Sequence, residues 1–561
     1  MCLYASQKVK PFSKGRVTSM SKQIVRAGKK MEIKVHSLGR VEGDLDVKVA
    51  IEDGRVVEAW TEATMFRGFE IILKGKDPQA GLIVTPRICG ICGGSHLYKA
   101  AYALDTAWGT EVPSNATLIR NIAQAAETIQ SVPRWFYALF AIGLTHQKYA
   151  SSKLYDEVVR RWAPFEGEHY EIGVAVSAKP VEIYAIFGGQ WPHSSFMVPG
   201  GVMCAPTLSD ITRSVSILEY YREAWLEKIL LGCSVERWLE NKTWKDVLNW
   251  LDEKPEHRDS DLGLFLRYCM DVGLEKYGAG PGRYLAYGSF FHPDKYRYPT
   301  IEGRNAALIS RSGVYDGEHF HDFDQARVRE DHTRSFFRGG GSLHPFEGVT
   351  DPLDPAEGKK EEKYTWAKAP RYDLPGVGEI ALETGPLARQ VIAGRPGAED
   401  WQDYDPLILN IVKEIGPSVM VRVLARLHEA AKYYLRMREW LKQIDLNEKF
   451  YIKPQELPEG RGFGATEAAR GALADWIQIK DGKIENYQVI TPTAWNIGPR
   501  DRNDNRGPIE TAMIGAPVND PEDPVELAHI AQSYDSCLVC TVHAYDAKTH
   551  KKLAKFEVTK F

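Results

Sequence analysis

Two Cys-x-x-Cys pairs are the residues of this chain best suited to chemistry. One lies in Arg87-Ile88-Cys89-Gly90-Ile91-Cys92-Gly93, the other in Asp535-Ser536-Cys537-Leu538-Val539-Cys540-Thr541-Val542-His543. A tight turn at this spacing brings both sulfurs to one side, where they can share a metal, and Gly90 and Gly93 allow the dihedrals such a turn needs. Thiolate-rich sites suit soft or borderline metals, which include nickel as well as zinc and iron–sulfur clusters. Zinc ribbons place their pairs roughly 15–20 residues apart. Here about 440 residues separate Cys92 from Cys537. A structural zinc clip between the ends of a large domain is one reading, and a catalytic centre with four thiolates is another. A redox dithiol would need a thioredoxin-like βαβ setting, which neither pair has.

The elements that must bring these pairs together show as pattern. Residues 32–61 read as β structure: Leu45 to Val49 alternates, Glu52-Asp53-Gly54 turns, and Arg55 to Trp60 returns. The middle reads as helix. Ser114 or Asn115 is placed to cap a helix with Leu118, Ile119, Ile122, Ala126 and Ile129 on one face. Residues 209–231 repeat the pattern up to Gly232, and a third long helix follows Gly416-Pro417. Residues 336–376, rich in Gly, Pro and charge, read as a long loop. Trp476 to Lys480, the turn Asp481-Gly482 and Ile484 to Thr491 read as a hairpin. The expected fold class is α+β and predominantly helical: a large helical bundle with β-rich N- and C-terminal segments, forming a single domain over residues 31–543.

Bulk properties narrow the function. Of 561 residues 43% are hydrophobic and 26% charged, as in ordinary globular proteins, and the net charge of −4 gives no basic face for nucleic acid. No apolar run is long enough to span a membrane. Residues 1–30 are polar and basic without an apolar centre, so they read as a flexible extension rather than a secretory signal. Eight cysteines are too sparse for a disulfide scaffold. Cys204, Cys233 and Cys269 read as small buried hydrophobes. A reducing, cytoplasmic location follows, with any membrane association made through partners.

The residues around the cysteines carry a resemblance. The first pair continues into Ser95-His96, and the second is flanked by Asp535 and His543. Between them, in order, stand Phe66-Arg67-Gly68-Phe69-Glu70, Gly385-Pro386-Leu387-Ala388-Arg389, Arg470-Gly471-Ala472-Leu473 and Trp495 to Asp501, with Arg40-Val41-Glu42-Gly43 ahead of them all. From about Val35 to His543 the chain resembles the large subunits of nickel–iron hydrogenases.

The resemblance implies roles. Cys89 and Cys537 match terminal nickel thiolates, and Cys92 and Cys540 match the thiolates bridging nickel and iron. The iron would carry carbon monoxide and cyanide installed by accessory proteins. Arg470 matches the arginine over the metals; as a bare residue it reads as a helix-start salt bridge. Pro492 and Thr493 match the segment that hydrogen-bonds a cyanide, an anionic acceptor that needs donors in a dry pocket. Glu42 matches the glutamate that takes a proton from Cys537, a task that suits a carboxylic acid whose pKa burial brings toward neutrality. Glu70, His543 and the Val489 carbonyl match a site for magnesium or a similar divalent ion. The implied activity is heterolytic oxidation of dihydrogen in an uptake hydrogenase, with a dihydrogen-sensing regulatory subunit as the alternative. The implied partners are an iron–sulfur small subunit, a maturation protease and nickel-insertion factors, with heterodimers joined in a higher oligomer. Residues 544–561 match a tail removed on maturation.

Three positions depart from the family pattern: Ser536 and Ala469 stand for prolines, and Ser131 for an aspartate beside the arginine. With Gly-Ile-Cys-Gly-Gly-Ser-His, they resemble the uptake branch that includes cyanobacterial-type enzymes.

Overall fold

The alternation around Leu45 builds an antiparallel sheet. The computed structural model describes residues 23–27, 30–35, 41 and 43–537. It places β1 (Gln23–Ala27), β2 (Lys30–Val35), β3 (Leu45–Glu52) and β4 (Arg55–Ala63) side by side in that order. Asp53 and Gly54 both take positive φ, 48° and 74°, the geometry of a two-residue hairpin turn whose twist matches its strands. Leu45, Val47 and Val49 are fully buried.

The bundle is built from α1 (Gly93–Trp108), α2 (Ser114–Trp135), α3 (Glu168–Gly188), α4 (Leu208–Tyr221) and α5 (Val419–Gln443). Within α2 only Ser114 and Arg134 escape full burial, so this helix is central, with α1, α3 and α5 packed on it. Its start differs from the expectation. Pro113 is the flanking residue and no side chain caps the helix. The Ser114 hydroxyl donates to Asp294 at 2.9 Å, and the Asn115 side chain exchanges hydrogen bonds with the backbone of Asp445. Tertiary partners took the groups that capping would have used. α4 continues as a π-helix over Arg222–Leu231, and Gly232 ends it at φ 66°.

Residues 336–376 are largely irregular, as expected, but Ala369–Leu374 is a strand paired with Val328–Asp331. Its Pro370 and charged residues hide it from a pattern search; Arg371 is buried because Asp501 pairs with it at 2.8 Å.

A three-stranded antiparallel sheet follows: β5 (Gly460–Ala468), β6 (Gly471–Lys480) and β7 (Lys483–Ile490). Gly460, Gly462 and Gly464 share one face of β5, and α1 lies on it. A Cβ at Gly462 would stand 1.9 Å from the Ala103 carbonyl oxygen, and one at Gly464 1.9 Å from that of Lys99. These glycines admit a helix backbone no other residue would allow so close. The buried ion pair Lys99–Asp475 fixes the same contact, and Tyr487 donates to Asp475 at 2.6 Å.

After α6 (Pro492–Ile497) and α7 (Pro508–Met513), and ahead of α8 (Val525–Ser533), the chain is back at its beginning. Val56 donates to the Ala516 carbonyl at 3.0 Å, Gly515 to that of Val56 at 2.8 Å, and Val518 to that of Gly54 at 2.8 Å. Among the described residues no helix is long and apolar enough to cross a membrane.

Candidate metal centre

Cys92 is the residue from which α1 starts, so the first cysteine pair is posed by a helix N-terminus. Glu127 of α2 fixes that terminus. Its carboxylate accepts from the Gly94 N–H at 2.7 Å, the Ser95 N–H at 2.8 Å, the Ser95 hydroxyl at 2.6 Å and the Trp191 indole at 3.1 Å. Burial raises the Glu127 pKa above the ordinary carboxylate value, and these donors offset only part of the rise. Gly94 is required here, since a Cβ would come within 2.7 Å of a Glu127 carboxylate oxygen. Behind the pair, Arg67 donates to the carbonyls of Ile88 at 2.8 Å and Arg87 at 3.0 Å.

The C-terminal arm arrives from the other side. Tyr534 caps the C-terminus of α8, Asp535 takes φ 54°, and Cys537 follows. The Cys537 N–H donates to the Thr493 hydroxyl at 2.9 Å. This places the Cys537 and Cys89 sulfurs 3.4 Å apart, too far for a disulfide. The sulfurs of Cys89, Cys92 and Cys537 all lie within 4.8 Å of one another, and all three residues are buried.

Arg470 sits in the two-residue turn between β5 and β6, not at a helix start, so that alternative falls. Its Nε donates to the Asp535 carbonyl at 2.9 Å, and Nη2 lies 2.9 Å from Asp535 Oδ1. Burial opposes its charge, but Asp535 and the sulfurs of Cys537, Cys92 and Cys89 hold its pKa well above the ordinary arginine value. Ser131 does not reach it with a hydrogen bond; its hydroxyl accepts from Arg134 at 3.4 Å. The Asp535 carboxylate is the acid beside this guanidinium, and Arg426 of α5 holds its other oxygen at 3.1 Å. His96 is buried, and burial followed by the Lys99 charge keeps its imidazole neutral.

Two orphaned groups say what the site fits. Arg470 Nη1 and both ring nitrogens of His96 have no hydrogen-bond partner among the described residues, although all are buried. Three sulfurs around one point suit a soft or borderline metal, and an unpartnered cationic nitrogen beside them suits an anionic acceptor.

Glu70 and Val489 also meet, but through the Val489 N–H, which donates to Glu70 Oε1 at 3.0 Å. The other Glu70 oxygen lies 3.1 Å from Lys368 Nζ and accepts from the Thr350 hydroxyl. Lys368 also reaches Glu330 at 3.2 Å and the Gln488 carboxamide oxygen at 2.9 Å. A cavity of about 100 Å³ opens beside Glu70, Glu330, Lys368 and Val489. These oxygens are the donors a hard cation takes. Pro492 is buried at the first turn of α6, with Thr493 next to it. Glu42, Cys540 and His543 lie outside the described residues.

Glu127 and Arg426 escaped the sequence reading. Both lie at buried positions of helices that carry other buried charges, Arg120 in α2 and Arg422 and Glu429 in α5, so pattern alone does not single them out.

The family model described as nickel-dependent hydrogenase matches residues 67–153 and 165–543. The periplasmic [NiFeSe] hydrogenase large subunit of Desulfomicrobium baculatum is 31% identical over 93% of this chain and 96% of its own. The uptake hydrogenase large subunit of Rhizobium leguminosarum bv. viciae is 30% identical over 91% of this chain and 95% of its own. A solved structure of the D. baculatum [NiFeSe] hydrogenase superposes with a TM-score of 0.74 at 30% identity, covering 92% of this chain and 100% of that one.

Proposed function

The chain belongs to the nickel-dependent hydrogenase family, and from that premise we propose that it is the catalytic subunit of an uptake enzyme that oxidises dihydrogen and hands the electrons to an iron–sulfur small subunit. One observation carries the reading. Sulfurs from Cys89, Cys92 and Cys537, drawn from opposite ends of the sequence, converge within 4.8 Å in a buried site. Cys540 is the fourth thiolate of the proposed set.

When bound, the nickel–iron centre supplies the acceptor for the electron pair of dihydrogen. The protein then handles two protons per molecule oxidised. A terminal thiolate, Cys537, is the first base, and Glu42 receives its proton. Arg470 keeps the pocket positive, and its unpartnered Nη1 is a donor for an anionic iron ligand. The Thr493 hydroxyl already accepts from the Cys537 N–H, so its own hydrogen remains to be donated, which suits a cyanide beside Pro492. Glu70, the Val489 carbonyl and His543 would hold a magnesium-type ion. The absence of any further cysteine cluster in the chain makes a partner with its own relay necessary. Residues 544–561 are proposed to be removed once nickel is in place.

Metal analysis of the purified complex tests this, with infrared spectra and the intact mass of the chain. Nickel and iron, infrared bands of carbon monoxide and cyanide, isotope exchange with dihydrogen and a C-terminus at His543 are expected. Zinc without nickel would reject the reading, and an intact Phe561 in active enzyme would reject the processing step.

A further inference from the structure

We propose that Arg422 and Arg426, one turn apart on α5, are positioning residues that seat the Tyr534–Asp535 turn and so set the place of Cys537. The proposal deepens the reading above, since it concerns how a thiolate of that site is presented.

Asp535 needs such a seat. It is a non-glycine residue at φ 54°, in a left-handed conformation that persists only where its surroundings over-determine it. It is also fully enclosed, with its carboxylate between two guanidiniums. Arg470 lies 2.9 Å from one oxygen and Arg426 3.1 Å from the other. Arg426 is itself immobilised. Nη1 donates to the Ala469 carbonyl at 3.1 Å, and the guanidinium lies 4.5 Å from the centre of the Trp135 ring. One residue back along the turn, Arg422 stands 4.1 Å over the Tyr534 ring. Arg422 binds the Glu383 carboxylate at 2.7 and 2.9 Å, and the Tyr534 hydroxyl donates to that same carboxylate at 3.0 Å.

The i,i+4 spacing puts both arginines on one face of α5, so consecutive residues of the turn meet consecutive rungs of one rigid helix. The Ala469 carbonyl that Arg426 holds ties the seat to the turn that bears Arg470. Thus α5 fixes together the guanidinium over the site and the backbone that leads to Cys537. Among the described residues neither arginine hydrogen-bonds to a cysteine sulfur, so both act through Asp535 and Tyr534. Arg426 Nη1 serves both the Asp535 carboxylate and the Ala469 carbonyl, and lysine would keep that charge but not the planar group that lies over the Trp135 ring.

The experiment has two arms. In the first, full-length chain from nickel-starved cells is treated with a maleimide, and labelling at each cysteine is followed by peptide mapping. R426Q is expected to raise the rate at Cys537 about tenfold, with Cys89 unchanged as the internal control. This arm needs neither metal nor turnover, so its result stands even if the proposed activity is wrong. In the second, nickel-loaded complexes of wild type, R426Q, R426K, D535N and R426Q/D535N are compared. R426Q should lose roughly 10–100-fold in kcat, with KM for dihydrogen little changed. R426K should recover part of that loss, and the double variant should be no slower than D535N alone. Unchanged Cys537 labelling, wild-type kcat in R426Q, or losses that multiply in full in the double variant would each overturn the proposal. Should R426Q fail to accumulate, R426K carries both arms, with a smaller rise in labelling expected and wild-type behaviour in both overturning it.

Discussion

A hydroxyl that accepts one hydrogen bond can still donate another, and Thr493 is held in that state. Its oxygen takes the Cys537 N–H at 2.9 Å in a buried setting. Valine would preserve the shape and remove the acceptor, leaving a buried N–H unmet at a cost of about 1–3 kcal/mol. T493V should therefore melt lower and retain less nickel, while T493S should behave as wild type; equal melting temperatures and metal content for both would refute the role. At this scale the sequence discloses what covalent type discloses. The cysteines stand out by type and spacing, Arg470 and Thr493 through the family resemblance, and the structure brings Cys89, Cys92, Cys537, Arg470 and Thr493 to one place. Glu127 and Arg426 did not stand out, because their importance lies in what tertiary packing puts beside them. A glutamate in a helix is ordinary until two backbone N–H groups of another helix are found pointing at it.

At the scale of elements, that carboxylate joins α2 to the start of α1 and therefore to Cys92. Alanine at Glu127 would leave the N–H groups of Gly94 and Ser95 and the Trp191 indole without their acceptor. Several buried donors unmet together cost roughly 2–5 kcal/mol. E127A should lower the melting temperature and the nickel content together, with E127Q between it and wild type because one acceptor oxygen remains. A wild-type melting temperature and full nickel in E127A would show that the motif helix needs no such anchor. Turn chemistry made the hairpins at Asp53-Gly54 and Asp481-Gly482 legible, and apolar periodicity did so for the long helices. β5 was not legible. Gly460-Arg461-Gly462-Phe463-Gly464 has the composition of a loop, and only the approach of α1 explains why alternate residues must lack a side chain. Ala369–Leu374 was missed for a related reason: its buried arginine is matched by an aspartate 130 residues away.

At the scale of the whole molecule, a metal site fed by both ends of the chain needs those ends bound to each other, and Glu510 lies on the seam. Its carboxylate accepts from the Thr61 N–H of β4 at 3.1 Å, the Tyr364 hydroxyl at 3.0 Å and the Gly507 N–H at 3.2 Å. Burial raises its pKa from the ordinary 4.5 to about 7, against the pull of those donors and of the Arg500 charge. In the unfolded chain the group loses its proton near 4.5, so between these two values the folded state holds a proton that the unfolded state has released. Native protein then binds more protons, and stability must fall as pH rises through that window. The contribution is fully present below the lower value and is lost above about 7. A displacement of this size corresponds to roughly 2–4 kcal/mol at about 1.4 kcal/mol per pKa unit. Glutamine cannot ionise, so the melting temperature of E510Q, measured by calorimetry on the assembled complex, should fall less steeply than wild type from pH 5 to 8, whatever its offset at any single pH. Parallel curves for the two proteins would mean that Glu510 is ionised throughout, and that the seam between β4 and α7 is held by a buried carboxylate rather than by a carboxylic acid.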